Sequence, residues 1–116
     1  MTESSADSPV QDIRWQDKNV VVQVTGDIDL NSSPKFQQAV LSLMDKRPDR
    51  IIVNLSDVPY MDSSGVASLV KLLSRVRKSG AMLSLCCLND RVRSVFEITR
   101  LDSVFHICNS EEEAMV

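Results

Sequence analysis

The sequence predicts an α/β fold: a mixed, mostly parallel β-sheet with an initial antiparallel hairpin, packed with about four α-helices. Short runs rich in β-branched residues alternate with segments whose apolar residues recur at helical spacing. The first two strand-like runs are separated only by a tight turn, which favours a hairpin. At 116 residues, the chain has the length of one globular domain. We expect a flexible tail over residues 1–8 and a single domain over residues 9–116.

Five strands are predicted from the apolar runs and the turns between them. Residues 13–15 and 20–24 flank the polar turn at residues 17–19, as in a hairpin. The uninterrupted aliphatic run at residues 51–55 is typical of a strand covered on both faces of a sheet. The remaining predicted strands cover residues 81–88 and 104–107.

Four helices are predicted from end signals and from apolar spacing. The first helix has Ser33 as N-cap, Pro34 at the first helical position and Pro48 as a stop. Gly80 ends the second helix, and Asn89 is the N-cap of the third. The capping box Ser110–Glu113 begins the short fourth helix. The second helix carries a predicted buried stripe of Val66, Leu69, Val70, Leu73 and Val76.

Composition excludes several classes of function. A net charge of −3 gives no basic surface of the kind that nucleic acids require, and we interpret the local group Lys71, Arg75, Arg77 and Lys78 as a solvated helix face. No apolar run is long enough to span a membrane, and no leader peptide is recognisable, so we expect a cytoplasmic protein. The three cysteines, Cys86, Cys87 and Cys108, lack the spacing of a zinc site or a disulfide framework, and we expect all three to be buried.

The residues also argue against catalysis. The one histidine, His106, lies in an apolar run and is interpreted as a core or edge residue, so no base is available to a serine nucleophile. The motifs of phosphate-binding loops, dinucleotide-binding loops and serine hydrolases are absent. Asp27, Asp29 and Asp62 do not follow the alternating ligand pattern of a calcium loop. We predict no enzyme activity, no cofactor and no metal.

Polar loops follow two neighbouring strands at residues 26–31 and 59–65, where function gathers in parallel sheets. Ser63 lies at the predicted start of the second helix, beside Asp62. One interpretation is that Asp62 or Ser63 only caps this helix. The other is that Ser63 is phosphorylated, because a phosphate of about −1.5 to −2 charges is tolerated at the positive end of a helix. Such a charge would repel an acidic partner surface.

Several stretches of the chain resemble a known family. Residues 20–29, 51–55 and 60–65 are similar to the bacterial anti-sigma factor antagonists of the STAS domain family. The most specific part is the run Met61-Asp62-Ser63-Ser64-Gly65. The resemblance implies a single STAS-type domain.

The resemblance also implies a partner-switching function. The unphosphorylated protein would bind an anti-sigma factor that is a GHKL-type serine kinase, and so release a sigma factor. Phosphorylation at Ser63 would end that complex, and a PP2C-type phosphatase would restore it. The residues implied in partner binding are Asp29, Met61, Asp62, Ser64 and Gly65.

Two alternatives remain within the same family. The chain can be an accessory subunit of an ABC-type lipid transport system, or a scaffold subunit of a sensory complex. Neither needs to be controlled by phosphorylation. The intact Asp62-Ser63-Ser64 run favours the anti-sigma factor antagonist.

Overall fold

The computed structural model describes residues 8–116, and these contain one five-stranded sheet in the order β1-β2-β3-β4-β5. The first pair is antiparallel and the other three pairs are parallel, which confirms the predicted fold class. The strands are β1 (Val10–Gln16), β2 (Asn19–Thr25), β3 (Arg50–Asp57), β4 (Met82–Cys86) and β5 (His106–Cys108). The predicted tail, residues 1–8, lies outside the described residues except for Ser8.

Four α-helices occur in this part of the chain, as predicted. They are α1 (Ser33–Ser42), α2 (Ser63–Ser79), α3 (Asp90–Ile98) and α4 (Glu111–Met115), with 3-10 turns at Leu43–Lys46 and Leu101–Ser103. No helix of residues 8–116 is both long and apolar enough to cross a bilayer.

The main core lies between one face of the sheet and the helices α1, α2 and α3. Alternate residues of β2, β3 and β4 point to this face, because successive side chains of a strand point to opposite sides. Phe36 of α1 and Phe96 of α3 are fully buried in this core, and the Phe96 ring meets Phe105 edge to face at 5.5 Å between centroids. Burial of this aliphatic core is the main source of stability.

A smaller core on the opposite face is covered by α4. Ala114 packs with Val21, Ile52 and two cysteines there. Polar contacts tie this short helix to the sheet. Glu111 Oε2 accepts hydrogen bonds from Asn54 Nδ2 at 2.6 Å and from Arg14 Nη2 at 2.9 Å.

Several predicted boundaries are wrong at the first helix. Ser32, not Ser33, is the N-cap of α1, and its side chain makes no capping bond. Its oxygen instead accepts from the Asp29 N–H at 3.0 Å, and its hydroxyl donates to the carbonyl of Asp27 at 2.8 Å. The α-helical part ends at Ser42 and continues as a 3-10 turn, so Pro48 follows the helix rather than stopping it.

The other corrections concern strand ends and burial. The fourth strand ends at Cys86 because Cys87 has a left-handed backbone (φ 67°), and this cysteine is half-buried rather than buried. The last strand, β5, begins two residues later and ends one residue later than expected. Val70 is exposed on α2, and Leu72 lies in the core instead.

We expect α4 to lose part of its attachment in acid. Burial alone would raise the pKa of Glu111, but the hydrogen bonds from Asn54 and Arg14 and the charge of Arg14 outweigh it and lower the pKa. A carboxylate with a lowered folded-state pKa stabilises the fold above its unfolded pKa, and that stabilisation is lost as the pH falls through the lowered value. Urea unfolding should show wild type more stable than Glu111→Gln at pH 7, with the difference shrinking as the pH is lowered through the acid range in which Glu111 takes up its proton. A difference that stays the same from pH 7 into this acid range would contradict this.

Candidate functional site

The loops that follow β2 and β3 are joined by backbone hydrogen bonds. Ile28 and Met61 form an isolated parallel bridge beyond the ends of the two strands. The Ile28 N–H donates to the Tyr60 carbonyl at 3.0 Å, and the Asp62 N–H donates to the Ile28 carbonyl at 3.1 Å. The predicted meeting of the two loops is therefore present, and the start of α2 is tied to the loop after β2.

Gly65 allows α2 to begin directly on top of this bridge. A Cβ atom at Gly65 would lie 2.7 Å from both Ile28 Cγ2 and Met61 Cγ, closer than side chains in proteins approach. Ile28 and Met61 are themselves buried, with 0% and 1% exposure, so neither can move aside at low cost. Only glycine fits at this position without displacing its neighbours.

Asp62 is the N-cap of α2, as one interpretation of the sequence expected. Its Oδ1 accepts hydrogen bonds from the Ser64 N–H at 2.9 Å and from the Ser64 hydroxyl at 2.6 Å. The pKa of Asp62 is lowered, chiefly by the Ser64 hydroxyl, with backbone N–H groups of Ser64, Gly65 and Leu30 adding to the effect against partial desolvation. The carboxylate is therefore charged at neutral pH, and the Ser64 hydroxyl is occupied.

Ser63 differs from Ser64 in having an available hydroxyl. Ser63 is the first residue of α2 and is exposed. Within residues 8–116 its hydroxyl makes no hydrogen bond, whereas the neighbouring serine donates to Asp62. The hydroxyl also lies at the N-terminus of a 17-residue helix, where backbone N–H groups favour negative charge.

Asp29 shapes the adjacent loop. Its Oδ1 accepts hydrogen bonds from the Asn31 N–H at 2.9 Å and the Ser32 N–H at 3.1 Å, and its carbonyl accepts from the Ser33 N–H at 2.8 Å. These bonds direct the chain into α1. The side chain is half-buried beside Leu30, so its carboxylate lies at the margin of an accessible surface.

The five residues predicted to bind a partner divide into two groups. Asp29, Asp62 and Ser64 are partly exposed around Ser63. Met61 and Gly65 are buried, so a partner cannot contact them directly, and they support the exposed residues from below.

Three further residues, which the sequence did not place in this site, also contribute to it. Leu30 is 77% exposed and Tyr60 is 41% exposed, and both lie in the joined loops. Asn89 caps α3 as predicted, with Oδ1 accepting from the Val92 N–H at 2.8 Å, and its Nδ2 also donates to the Val58 carbonyl at 3.0 Å. The amide of an asparagine carries donors as well as an acceptor, so a capping asparagine can make a second bond. No other feature of the sequence indicates the bond to Val58.

The remaining polar candidates do not join this site. His106 lies at the far sheet edge, exposed, with Nδ1 2.8 Å from the Ser84 hydroxyl, in agreement with an edge residue. In residues 8–116 no group of three or more potential ligands is placed to hold a metal ion.

Comparisons with known proteins give one consistent result. A family model described as the STAS domain matches residues 11–114. The chain is 31% identical over 101 residues to the anti-sigma-B factor antagonist of Bacillus subtilis (strain 168), covering 87% of this chain and 92% of that protein. The structure of an anti-sigma factor antagonist from Mycobacterium paratuberculosis has a TM-score of 0.84 at 24% identity, over 94% of this chain and 92% of that one. The phosphorylated form of the Bacillus cell fate determinant SpoIIAA has a TM-score of 0.71 at 21% identity, over 90% and 95%. These two structures share the fold.

The close packing at Gly65 predicts a large effect of one methyl group. Gly65→Ala should lower the free energy of unfolding by about 1–3 kcal/mol, because the added Cβ overpacks the contact with Ile28 and Met61. Ser63→Ala lies in the same first turn of α2 but adds no buried atom, so it is the matched control. Its effect on the free energy of unfolding should stay within about 0.5 kcal/mol. Urea denaturation measures both. A Gly65→Ala protein as stable as the control would show that the packing does not hold the loops.

Proposed function

The chain belongs to the STAS domain family, and from that membership we propose that it is an anti-sigma factor antagonist. In its unphosphorylated form it binds an anti-sigma factor with GHKL-type serine kinase activity and so releases a sigma factor. Phosphorylation of Ser63 ends the binding, and a PP2C-type phosphatase reverses it. The proposal is supported by the 31% identity to an anti-sigma-B factor antagonist over most of both chains.

One observation carries the assignment of Ser63. Of the two adjacent serines, only Ser63 has an exposed hydroxyl without a hydrogen bond in the described part of the chain. A kinase can reach this oxygen without first breaking the Asp62–Ser64 contact. The same fold also occurs in SpoIIAA, whose structure was solved in a phosphorylated form.

The surroundings of Ser63 explain how a phosphate can act as a switch. Leu30 and Tyr60 are exposed apolar residues in the joined loops, and Ala67 and Val70 are exposed one and two turns along α2 on the side of Ser63. We call these four residues and Ser63 the switch surface. A partner that covers an apolar surface of this kind must also remove water from the Ser63 oxygen. A hydroxyl tolerates that removal far better than a doubly charged phosphate does.

A partner that presents an acidic group to Ser63 would also be repelled by the phosphate. A unit of phosphate charge and a unit charge on that group, about 6 Å apart at an effective dielectric near 20, repel by roughly 3 kcal/mol, which corresponds to about a 100-fold loss of affinity. Within the free protein, the N-terminus of α2 favours the same phosphate. The modification therefore acts on the complex and leaves the fold intact.

The proposal predicts a selective loss of binding in a Ser63→Asp variant. Titration calorimetry with the cognate anti-sigma factor should show affinity lower by at least about tenfold, because one negative charge stands in for the larger charge of a phosphate. Ser63→Ala should bind like wild type, and circular dichroism and the melting temperature should be unchanged in both variants. Equal binding by Ser63→Asp and wild type would refute the switch.

A second prediction separates the two roles of Asp29. Asp29→Asn keeps an Oδ1 acceptor for the Asn31 and Ser32 N–H groups but removes the charge, whereas Asp29→Ala removes both. We expect the asparagine variant to melt like wild type and to bind the anti-sigma factor about tenfold more weakly, because a charged contact to the partner is lost. The alanine variant should bind weakly and also be less stable. Full affinity in Asp29→Asn would leave the carboxylate with a structural role only.

A further inference from the structure

The strand β1 is an open edge of the sheet. Among residues 8–116 it pairs with β2 on one side and with no strand on the other. It is seven residues long, Val10–Gln16, and five of its residues are exposed. An edge strand of this length presents unpaired backbone N–H and C=O groups, which are a template for another strand.

The charges of β1 are self-complementary about its middle residue, Ile13. A two-fold axis through Ile13 would place two copies of the strand antiparallel, with residues 12–14 of one copy opposite residues 14–12 of the other; the bulge between Val10 and Asp12 lies outside this central stretch. Asp12 of one copy would then lie opposite Arg14 of the other, and Arg14 opposite Asp12. Within one chain, Arg14 Nε already lies 3.3 Å from Asp12 Oδ2, so both charges are on the same face of the strand.

The neighbouring registers are unfavourable. A two-fold axis through Asp12 would place two aspartates opposite each other, and an axis through Arg14 would do the same for two arginines. Like charges directly opposite each other destabilise a strand pair. Of these three registers, only the one centred on Ile13 pairs opposite charges twice, within the regular stretch of β1 that follows the bulge between Val10 and Asp12.

The opposite face of β1 supplies an apolar contact in the same register. Ile13 is paired with Val22, which points to the main core, so the Ile13 side chain lies on the helix side of the sheet. There it borders an open groove of about 480 Å³ between β1 and α1, with Val10 and Ala39 among the lining residues. The Ile13 side chain is 41% exposed at the mouth of this groove. In the two-fold pair, the two isoleucines would lie directly opposite each other and cover this apolar edge.

We propose that β1 is a self-association surface, at which a second copy of this chain pairs antiparallel through Ile13 and joins the two sheets into one. Because the two copies run in opposite directions, the carboxyl ends of their parallel strands lie at opposite ends of the joined sheet. Each Ser63 therefore remains on its own end, away from the two-fold axis. The inference rests on β1 alone and not on the proposed function.

Charge exchange in the 116-residue chain tests the register. Sedimentation equilibrium of wild type at concentrations up to about 1 mM should show a reversible monomer–dimer equilibrium. Asp12→Arg and Arg14→Asp should each weaken it roughly 10- to 100-fold, because two attractive pairs become two repulsive pairs. Arg91→Asp on the exposed side of α3 changes the net charge as Arg14→Asp does and should dimerise like wild type.

The decisive experiment restores the dimer by combining complementary variants. An equimolar mixture of Asp12→Arg and Arg14→Asp should form a heterodimer of near wild-type affinity, and the double variant Asp12→Arg/Arg14→Asp should dimerise with itself. Since Arg14 also contacts Glu111, circular dichroism and melting curves establish that each variant is folded. A monomeric wild type, single variants that dimerise like wild type, or a mixture that stays monomeric would each overturn the proposal.

Discussion

The contact of Gly65 with Ile28 and Met61 is the constraint on which the rest of the site depends. It lets the first turn of α2 lie directly against the bridge between the loops after β2 and β3. Because Ile28 and Met61 are buried, this bridge belongs to the main core and shares its rigidity. Ser63 is thus an exposed residue on a fixed support. A rigid support limits the entropy lost when a partner binds.

The hydrogen bonds of the motif divide its roles between adjacent residues. Asp62 has one carboxylate oxygen that accepts from both the N–H and the hydroxyl of Ser64. That pair satisfies the helix start and occupies the second serine. Ser63, at the first helical position, has no such partner among the described residues and faces solvent. Capping by Asp62 therefore leaves the Ser63 hydroxyl available for the proposed modification.

Local chemistry made much of this site predictable from the sequence. An acid before two serines and a glycine indicates a helix start, and Asp62 is that cap. Features that depend on distant contacts were less predictable. Val70 fits the apolar spacing of α2, but the packing of α2 on α1 and the sheet leaves it exposed. Ser32 replaces Ser33 as the first cap because the Asp29 turn positions it, and nothing near Glu111 in sequence indicates its bonds to Arg14 and Asn54.

We propose that the geometry of the two adjacent serines makes Ser63, and not Ser64, the acceptor of a phosphate. The most direct test incubates the protein with its cognate anti-sigma factor and ATP and maps the phosphate by tandem mass spectrometry. We predict one phosphate, on Ser63, that is absent in Ser63→Ala and retained in Ser64→Ala. Phosphate on Ser64 in the wild-type protein, or undiminished incorporation into Ser63→Ala, would contradict the account.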